Sequence, residues 1–410
     1  MDRPTYLLIG GGVAGSHAAK ELRQQDPEAA ITLVTNDPHR PYDRPPLSKD
    51  FLRGEMPLEK VFFEDPSFYE AQKIELKLGK TVRSLDAATN TATLDDDSVL
   101  RFDKALIATG GRPIRLNVPG AELPGVHYLR TLDDARALAA VATPGAFAVI
   151  IGGGFIGVEV AASLAQRGVE VTVVEAGPHI WSRFAHEKLA VAIQDHCTAK
   201  SIAFRTADSV TEILQQDERM LVRLQSGAQL PCHFVCIGVG IQPNVELARQ
   251  AGLAVENGIV VDEYLQTSQP NIYAAGDVAR FVDPLFGKRR RMEHWGHAEY
   301  SGQLAARNMA GARQPYDLLT YVWSDIFDLH LEFAGDETEH DQMLLRGQLE
   351  KLTCIILYLK QHRLTAYFAI NASNKDLPPL QKLIKNRRDL SGMEAALQDQ
   401  AVPLKNLLAP

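Results

Sequence analysis

The sequence carries the same glycine pattern twice, Gly10-x-Gly12-x-x-Gly15 and Gly152-x-Gly154-x-x-Gly157. Each copy follows an apolar, β-branched run, residues 6–9 and 147–151, and opens a stretch predicted as helix, residues 16–24 and 158–167. That context makes a weak pattern specific. The first glycine permits a tight turn and the second admits a pyrophosphate against the backbone. The third lets the helix pack on its strand. Unbonded N–H groups at the start of a helix then attract the phosphates. Two copies in matching context imply two dinucleotides on one polypeptide.

Strand-like runs alternate with helical patterns through the first three hundred residues, which predicts α/β architecture with two Rossmann-like parallel sheets. The repeated strand endings Ala108-Thr-Gly110 and Ala275-Gly276-Asp277 suggest that the first domain resumes after the second is inserted. The expected organisation is a discontinuous domain over 1–115 and 243–317, a second domain over 116–242, and an α+β C-terminal domain over 318–410. In that last region the longer apolar runs at 352–359 and 365–370 precede a charged helix expected over 379–388. A chain of 410 residues has room for these cores.

A formal charge of −8 argues against a general binder of nucleic acid or acidic membranes. The first strand begins within a few residues of Met1, and no apolar run reaches membrane-spanning length, so a cytoplasmic location is expected. Four cysteines, Cys197, Cys232, Cys236 and Cys354, are too few for a disulfide framework. Cys232 and Cys236 have no second pair to close a zinc site and read as small buried residues; no metal site is expected.

With both fingerprints, the segment Arg40-Pro-Tyr-Asp-Arg-Pro-Pro-Leu-Ser-Lys49 and the Ala-Ala-Gly276-Asp277 ending, the chain resembles the FAD- and NADH-dependent ferredoxin reductases, the reductase components of Rieske dioxygenase and class I cytochrome P450 systems. It is also similar to apoptosis-inducing-factor-type oxidoreductases and, less closely, to monodehydroascorbate reductases. The resemblance covers nearly the whole chain. It implies noncovalent FAD, NADH, a glutathione-reductase-like architecture and delivery of electrons to an iron–sulfur ferredoxin of the [2Fe–2S] type or to rubredoxin. Either a monomer or a homodimer would suit that role.

On the FAD side, Gly10, Gly12 and Gly15 with the backbone of Val13 and Ala14 should hold the pyrophosphate. Where an acidic residue would bind the adenosine ribose the sequence reads Thr35-Asn36-Asp37, a departure that makes Asp37 the candidate. The resemblance puts Val82 at the adenine, Ala108 and Arg130 along the FAD, Asp277 at the ribityl and phosphate region, and the backbone of Trp295 at the pyrimidine edge. Pro41, Pro45 and Pro46 keep the 40–49 segment from running as a regular helix, and an extended backbone could lie along a flavin. The family position of Arg44 is beside FAD. That of Lys49 is near the flavin N5 edge, where a cation favours the anionic reduced form.

On the NADH side, Gly152, Gly154 and Gly157, with Phe155, Ile156 and Gly238, form the candidate site. Glu175 stands at a strand end about twenty residues beyond the fingerprint, suited to the ribose hydroxyls and hostile to a 2′-phosphate; Arg183 could instead accommodate that phosphate. Glu159 sits just inside the fingerprint helix, where the helix dipole favours an anion. The resemblance adds that it lies near the nicotinamide and can pair with Lys49.

Disulfide reductases of this architecture carry a redox cysteine pair soon after the first fingerprint, and residues 38–50 contain none. Electrons are therefore expected to leave the flavin directly, and the resemblance puts Trp323 at the flavin edge facing the acceptor. The run Lys288-Arg-Arg-Arg291 is either a solvated loop or a docking patch for an acidic ferredoxin. Two other readings stay open: transfer to oxygen, a quinone or monodehydroascorbate, and a redox-responsive binding protein like apoptosis-inducing factor.

Overall fold

A computed structural model describes residues 3–182 and 186–408. Arg183 lies outside the described residues. The chain divides into two compact units. One comprises Met1–Asp43, Leu58–Arg112 and Ile241–Thr320. The other comprises Arg44–Pro57, Pro113–Gly240 and Tyr321–Pro410. The prolyl segment thus packs with the second fingerprint, and so does the C-terminal region.

The first unit is built on a parallel sheet ordered Ile272–Ala274, Lys104–Ile107, Thr5–Ile9, Ala30–Val34, Ile74–Lys77. Its central strand is buried from Tyr6 to Ile9, as expected for a parallel strand covered on both faces. The helix Val13–Gln25 follows at once, burying Ala14, Ala18, Ala19 and Leu22. It packs against Trp295–Met309 so closely that a Cβ on Gly302 would lie 2.2 Å from the Ala14 carbonyl oxygen. A three-stranded antiparallel sheet, Val82–Asp86, Thr91–Leu94 and Val99–Arg101, completes the pattern.

The second unit repeats this plan. Its parallel sheet runs Ile202–Arg205, Glu170–Val174, Phe147–Ile151, Phe234–Ile237, Val126–Tyr128. The fingerprint strand is again central, its helix Phe155–Gln166 follows, and the antiparallel insertion is Val210–Gln216, Arg219–Leu224, Gln229–Cys232. The C-terminal residues add an antiparallel sheet ordered Tyr321–Ile326, Leu329–Gly335, Arg363–Ile370, Thr353–Lys360, Gln342–Gln348. Ile356, Tyr358, Phe368 and Ile370 from this sheet join the core around Ile150, Val160 and Leu189. Burial on both faces explains why 353–360 reads as a continuous apolar run instead of alternating.

Several local expectations change. Both fingerprint helices begin three residues earlier than the apolar periodicity indicates, with Gly12 and Gly154 as N-caps. The third glycine of each copy is therefore helical. The prolyl segment is not extended: Pro45–Ser48 forms a 3-10 turn and Asp50–Arg53 a helical turn. Proline at the first position of a helical turn is favourable, because its fixed φ suits the turn and its missing N–H has no partner there anyway. The basic run is no loop; Lys288–Arg291 is a strand paired antiparallel with Ala279–Asp283. The charged helix spans Leu377–Lys385 and is not the final one, because a short helix, Glu394–Gln398, and a 3-10 turn, Leu404–Leu408, follow it. Among the described residues no helix is long and apolar enough to cross a membrane.

Candidate active site: two glycine cradles and a buried ion pair

The two fingerprints are superimposable in their bonding. Gly10 N donates to Val34 O and Gly152 N to Val174 O, each at 2.8 Å, while Ala108 N donates to Ile9 O and Gly238 N to Ile151 O, also each at 2.8 Å. The first glycine of each copy has positive φ, +120° and +110°, a region open mainly to glycine. A Cβ there would strike Ala108 O at 2.2 Å in one copy and Gly238 O at 2.5 Å in the other. The third glycines are tighter still: a Cβ would come within 1.9 Å of Gly10 O from Gly15, and within 2.0 Å of Gly152 O from Gly157. Ala108 and Gly238 are thus equivalent residues, the ones whose carbonyls close the turn.

Neither helix has a side-chain N-cap hydrogen bond or an acidic residue in its first turn. Their leading N–H groups remain available to an anion. A Cβ on Gly154 would meet nothing within 4 Å. Leading amides with no carboxylate in the first turn, and open space at Gly154, fit the pyrophosphate of a dinucleotide.

The copies differ at the end of the neighbouring strand. In the second, Glu175 accepts hydrogen bonds from Gly153 N at 2.6 Å and Gly177 N at 2.7 Å, which fixes its carboxylate beside the glycine loop. In the first, the equivalent residue is Thr35, whose side chain would touch a Cβ on Gly11 at 3.0 Å. Asp37, two residues on, accepts from His39 N at 3.0 Å and from the Tyr42 hydroxyl at 2.7 Å. Both of its oxygens are engaged within their own loop.

Lys49, Glu159 and Trp323 come together in the second unit. Lys49 Nζ lies 2.8 Å from Glu159 Oε1, with both side chains buried, and 5.1 Å from the centre of the Trp323 ring. Two residues that the sequence did not single out complete the group. Ser324 Oγ donates to Glu159 Oε1 and Ser48 Oγ to Glu159 Oε2, each at 2.6 Å. The only sequence signal for them is adjacency, Ser48 to Lys49 and Ser324 to Trp323. Glu159 is the fifth residue of its helix, beyond the first turn where the dipole acts. Its three donors replace the dipole as the reason a carboxylate is tolerated there.

The remaining FAD candidates are divided between the units. In the first, Val82 and Ala108 are buried. Asp277 lies in the turn Gly276–Val278, tied to the fingerprint helix by Gly276, whose added Cβ would meet Ala14 Cβ at 3.0 Å. Trp295 opens its helix and donates from Nε1 to Asp43 Oδ1 at 2.7 Å. Arg44 caps the prolyl turn in the second unit. Arg130, also there, precedes the capping box of Leu132–Val141, its N–H donating to Asp134 Oδ2 at 3.0 Å.

The basic run is largely engaged inside its own unit. Arg289 Nη1 donates to Val261 O, Arg290 pairs with buried Asp283 at 3.1 Å, and Arg291 bonds Glu293 and the Asp277 carbonyl. It does not form a solvated loop of free charges, and truncating Arg290 would strip a partner from a buried carboxylate, which is costly.

All four cysteines are free and buried. Burial pushes the thiols of Cys197, Cys232 and Cys236 up to about 12 and that of Cys354 to about 11. None is suited to act as a thiolate relay near neutral pH. Among the described residues no group of three or more His, Cys, Asp or Glu could hold a metal.

Paired dinucleotide cradles on parallel sheets, followed by an antiparallel C-terminal sheet, define the class of two-nucleotide oxidoreductases. The chain belongs to the pyridine nucleotide-disulphide oxidoreductase family, whose model matches residues 4–302, and a reductase C-terminal model matches 321–408. It is 34% identical over 409 residues to the 5,5'-dehydrodivanillate O-demethylase ferredoxin reductase subunit of Sphingobium sp. (strain NBRC 103272 / SYK-6), covering 98% of each chain. It is 34% identical to rhodocoxin reductase of Rhodococcus erythropolis over 396 residues, 96% of this chain and 92% of that one. Among solved structures it resembles the reductase of the covalent putidaredoxin reductase–putidaredoxin complex, with a TM-score of 0.95, 30% identity, and coverage of 100% of this chain and 99% of the other.

Proposed function

We propose that this protein is an NADH-dependent FAD flavoprotein that passes electrons one at a time to a [2Fe–2S] ferredoxin serving an oxygenase. The observation that carries the reading is the asymmetry between two otherwise equivalent cradles: only the second presents a carboxylate, Glu175, beside its glycine loop. That makes the second copy the NADH site, with Gly152, Gly154, Phe155, Ile156, Gly157 and Gly238 around the nucleotide and the Glu175 charge disfavouring a 2′-phosphate. The first copy, Gly10, Gly12, Val13, Ala14 and Gly15, then takes FAD, with Val82, Ala108, Asp277 and Trp295 of its own unit, while Asp37 is held by its own loop.

When bound, NADH and FAD supply hydride transfer and the change from two-electron to one-electron chemistry. The protein holds their pyrophosphates on helix N-termini, holds Lys49 against Glu159, and offers Trp323 on the C-terminal sheet. With every thiol buried, no disulfide relay is available to accept the electrons. The names of the relatives, a ferredoxin reductase subunit and a rhodocoxin reductase, support an external protein acceptor.

The test is anaerobic. The purified holoprotein is reduced with NADH in a stopped-flow instrument, then mixed with a [2Fe–2S] ferredoxin, rubredoxin, a quinone or oxygen. Reoxidation should be fastest with ferredoxin, and NADH should outperform NADPH. Faster reoxidation by oxygen or quinone, or a flavin that NADH does not reduce, would overturn the reading.

A further inference from the structure

We propose that Ser324 and Ser48 are positioning residues for hydride transfer, acting through the Glu159 carboxylate on the Lys49 ammonium. This rests on the reading that the Lys49–Glu159 pair serves the reaction of the bound nucleotides. It adds two hydroxyls that set where the pair points.

Glu159 is 4% exposed on a helix whose neighbours Val158, Val160, Ala161 and Ala162 are all buried. A carboxylate in such a place must have its lone pairs satisfied. Its three donors come from two separate parts of the second unit: Lys49 and Ser48 from the prolyl segment, Ser324 from the first strand of the C-terminal sheet. Oε1 is shared between Lys49 and Ser324, while Oε2 is held by Ser48. With one hydroxyl on each oxygen, the carboxylate plane cannot turn without breaking a charge-assisted bond, and Lys49 is aimed by whatever fixes that plane.

The same helix face also fixes the prolyl segment itself. Ser163, four residues after Glu159, donates from Oγ to the Ser48 carbonyl at 2.7 Å. Arg167, four further, donates from Nη1 to the Leu52 carbonyl at 2.7 Å. Residues 159, 163 and 167 form a polar stripe at helical spacing on a helix that is otherwise almost wholly apolar. Ser48 is thus held by its backbone and holds Glu159 with its side chain. Ser324 holds the other oxygen and is the next residue after Trp323, whose ring lies against Lys49.

The experiment compares Ser324→Ala, Ser48→Ala, Glu159→Gln and Ser324→Ala in the Glu159→Gln background, all as FAD-loaded full chains whose flavin content and melting are checked first. Anaerobic flavin reduction is followed against NADH concentration to separate the limiting rate from the dissociation constant. Each serine variant should lower the limiting rate by about tenfold, the effect of losing one hydrogen bond to a charged group, with the NADH dissociation constant unchanged. In the Glu159→Gln background, Ser324→Ala should change the rate by less than about twofold, because two residues acting through one carboxylate are not additive. A wild-type limiting rate in both serine variants, or a full further loss in the Glu159→Gln background, overturns the positioning role. If Glu159→Gln and Lys49→Met themselves reduce at the wild-type rate, the assignment of the ion pair to the reaction fails instead. Should Ser324→Ala not fold, Ser48→Ala, Glu159→Gln and their double variant carry the same comparison.

Discussion

The two glycine repeats share their backbone down to the hydrogen bonds that close the turn, and they differ in what a few side chains do around it. In the first, the strand-end residue is Thr35, and Asp37 is turned into its own loop by His39 and Tyr42. In the second, Glu175 is held against the glycine loop by two backbone amides, and the helix beyond carries the stripe that grips the prolyl segment. The cradle is therefore a generic device for a pyrophosphate. Which dinucleotide it takes, and what chemistry stands next to it, depends on one strand-end residue and one helix face.

The most damaging way to break this equivalence is at the third glycines. A methyl group on Gly15 or Gly157 would sit about 2 Å from a carbonyl oxygen of its own turn, and relieving the overlap distorts the cradle at a cost of roughly 3 kcal/mol, about 100-fold in affinity. Gly157→Ala should purify with its flavin in place yet require about 100-fold more NADH for reduction. Gly15→Ala should purify depleted of flavin. Measuring flavin content and NADH titration on both variants decides the assignment; the reverse pattern would exchange the two nucleotides.

A second contrast lies in acid sensitivity. In the first unit, desolvation pushes buried His297 and half-buried His294 each down to about 4, with Asp277 opposing the shift and Arg290 reinforcing it. His297 stacks on Phe281 and its Nδ1 lies 2.9 Å from the Tyr316 hydroxyl oxygen. In the unfolded chain these groups bind protons below about 6.5. Between that value and about 4 the unfolded state holds more protons than the folded one, so stability falls as the pH is lowered. Each histidine contributes about 2 kcal/mol to that loss by pH 5. Chemical denaturation at pH 7 and pH 5, followed by flavin release, should show the loss. His297→Phe should flatten the slope, whereas an unchanged slope would place the acid sensitivity elsewhere.

A change at the strand end is gentler and more selective. Glu175→Ala removes a group placed for the ribose hydroxyls, and the ratio of kcat/KM for NADH over NADPH should fall by about tenfold, the scale for a polar site deprived of its hydrogen-bonding partner. Flavin content should not change. An unaltered ratio would mean that discrimination resides in another part of the second nucleotide site.

The two Rossmann-type folds were legible because glycine spacing and β-branched runs are local signals that survive without tertiary context. The strand-end contrast between Thr35 and Glu175 was legible for the same reason. Helix starts were missed by one turn because residues 13–15 and 155–157 include glycine, which apolar periodicity does not register. The prolyl segment was read as extended because proline forbids a helix interior, yet at the first position of a turn it favours one. Lys288–Arg291 looked like a loop because charge dominated the reading, whereas its pairing with Ala279–Asp283 and the buried Asp283 exist only in three dimensions. Ser48 and Ser324 were invisible on their own. Serine is common, and only the fold brings these two to one carboxylate.

Asp37 tests the comparison at its finest grain. If the first copy used its acidic residue as the second uses Glu175, Asp37→Ala would weaken flavin binding by tenfold or more and leave the melting temperature alone. The geometry leads to the opposite expectation, because the donors that hold Asp37, His39 N and Tyr42 Oη, lie outside the glycine loop, whereas Glu175 is held by Gly153 N within it. Losing the Asp37 hydrogen bonds should cost stability by about 1 kcal/mol, seen as a fall of a few degrees in melting, while the FAD dissociation constant rises by less than about threefold, within a single hydrogen bond. Fluorescence titration of the apoprotein with FAD, together with a melting curve, reads both quantities. A large change in affinity without a change in melting would make the two copies alike in ribose recognition and leave Lys49, with the serines around Glu159, as the main difference between them.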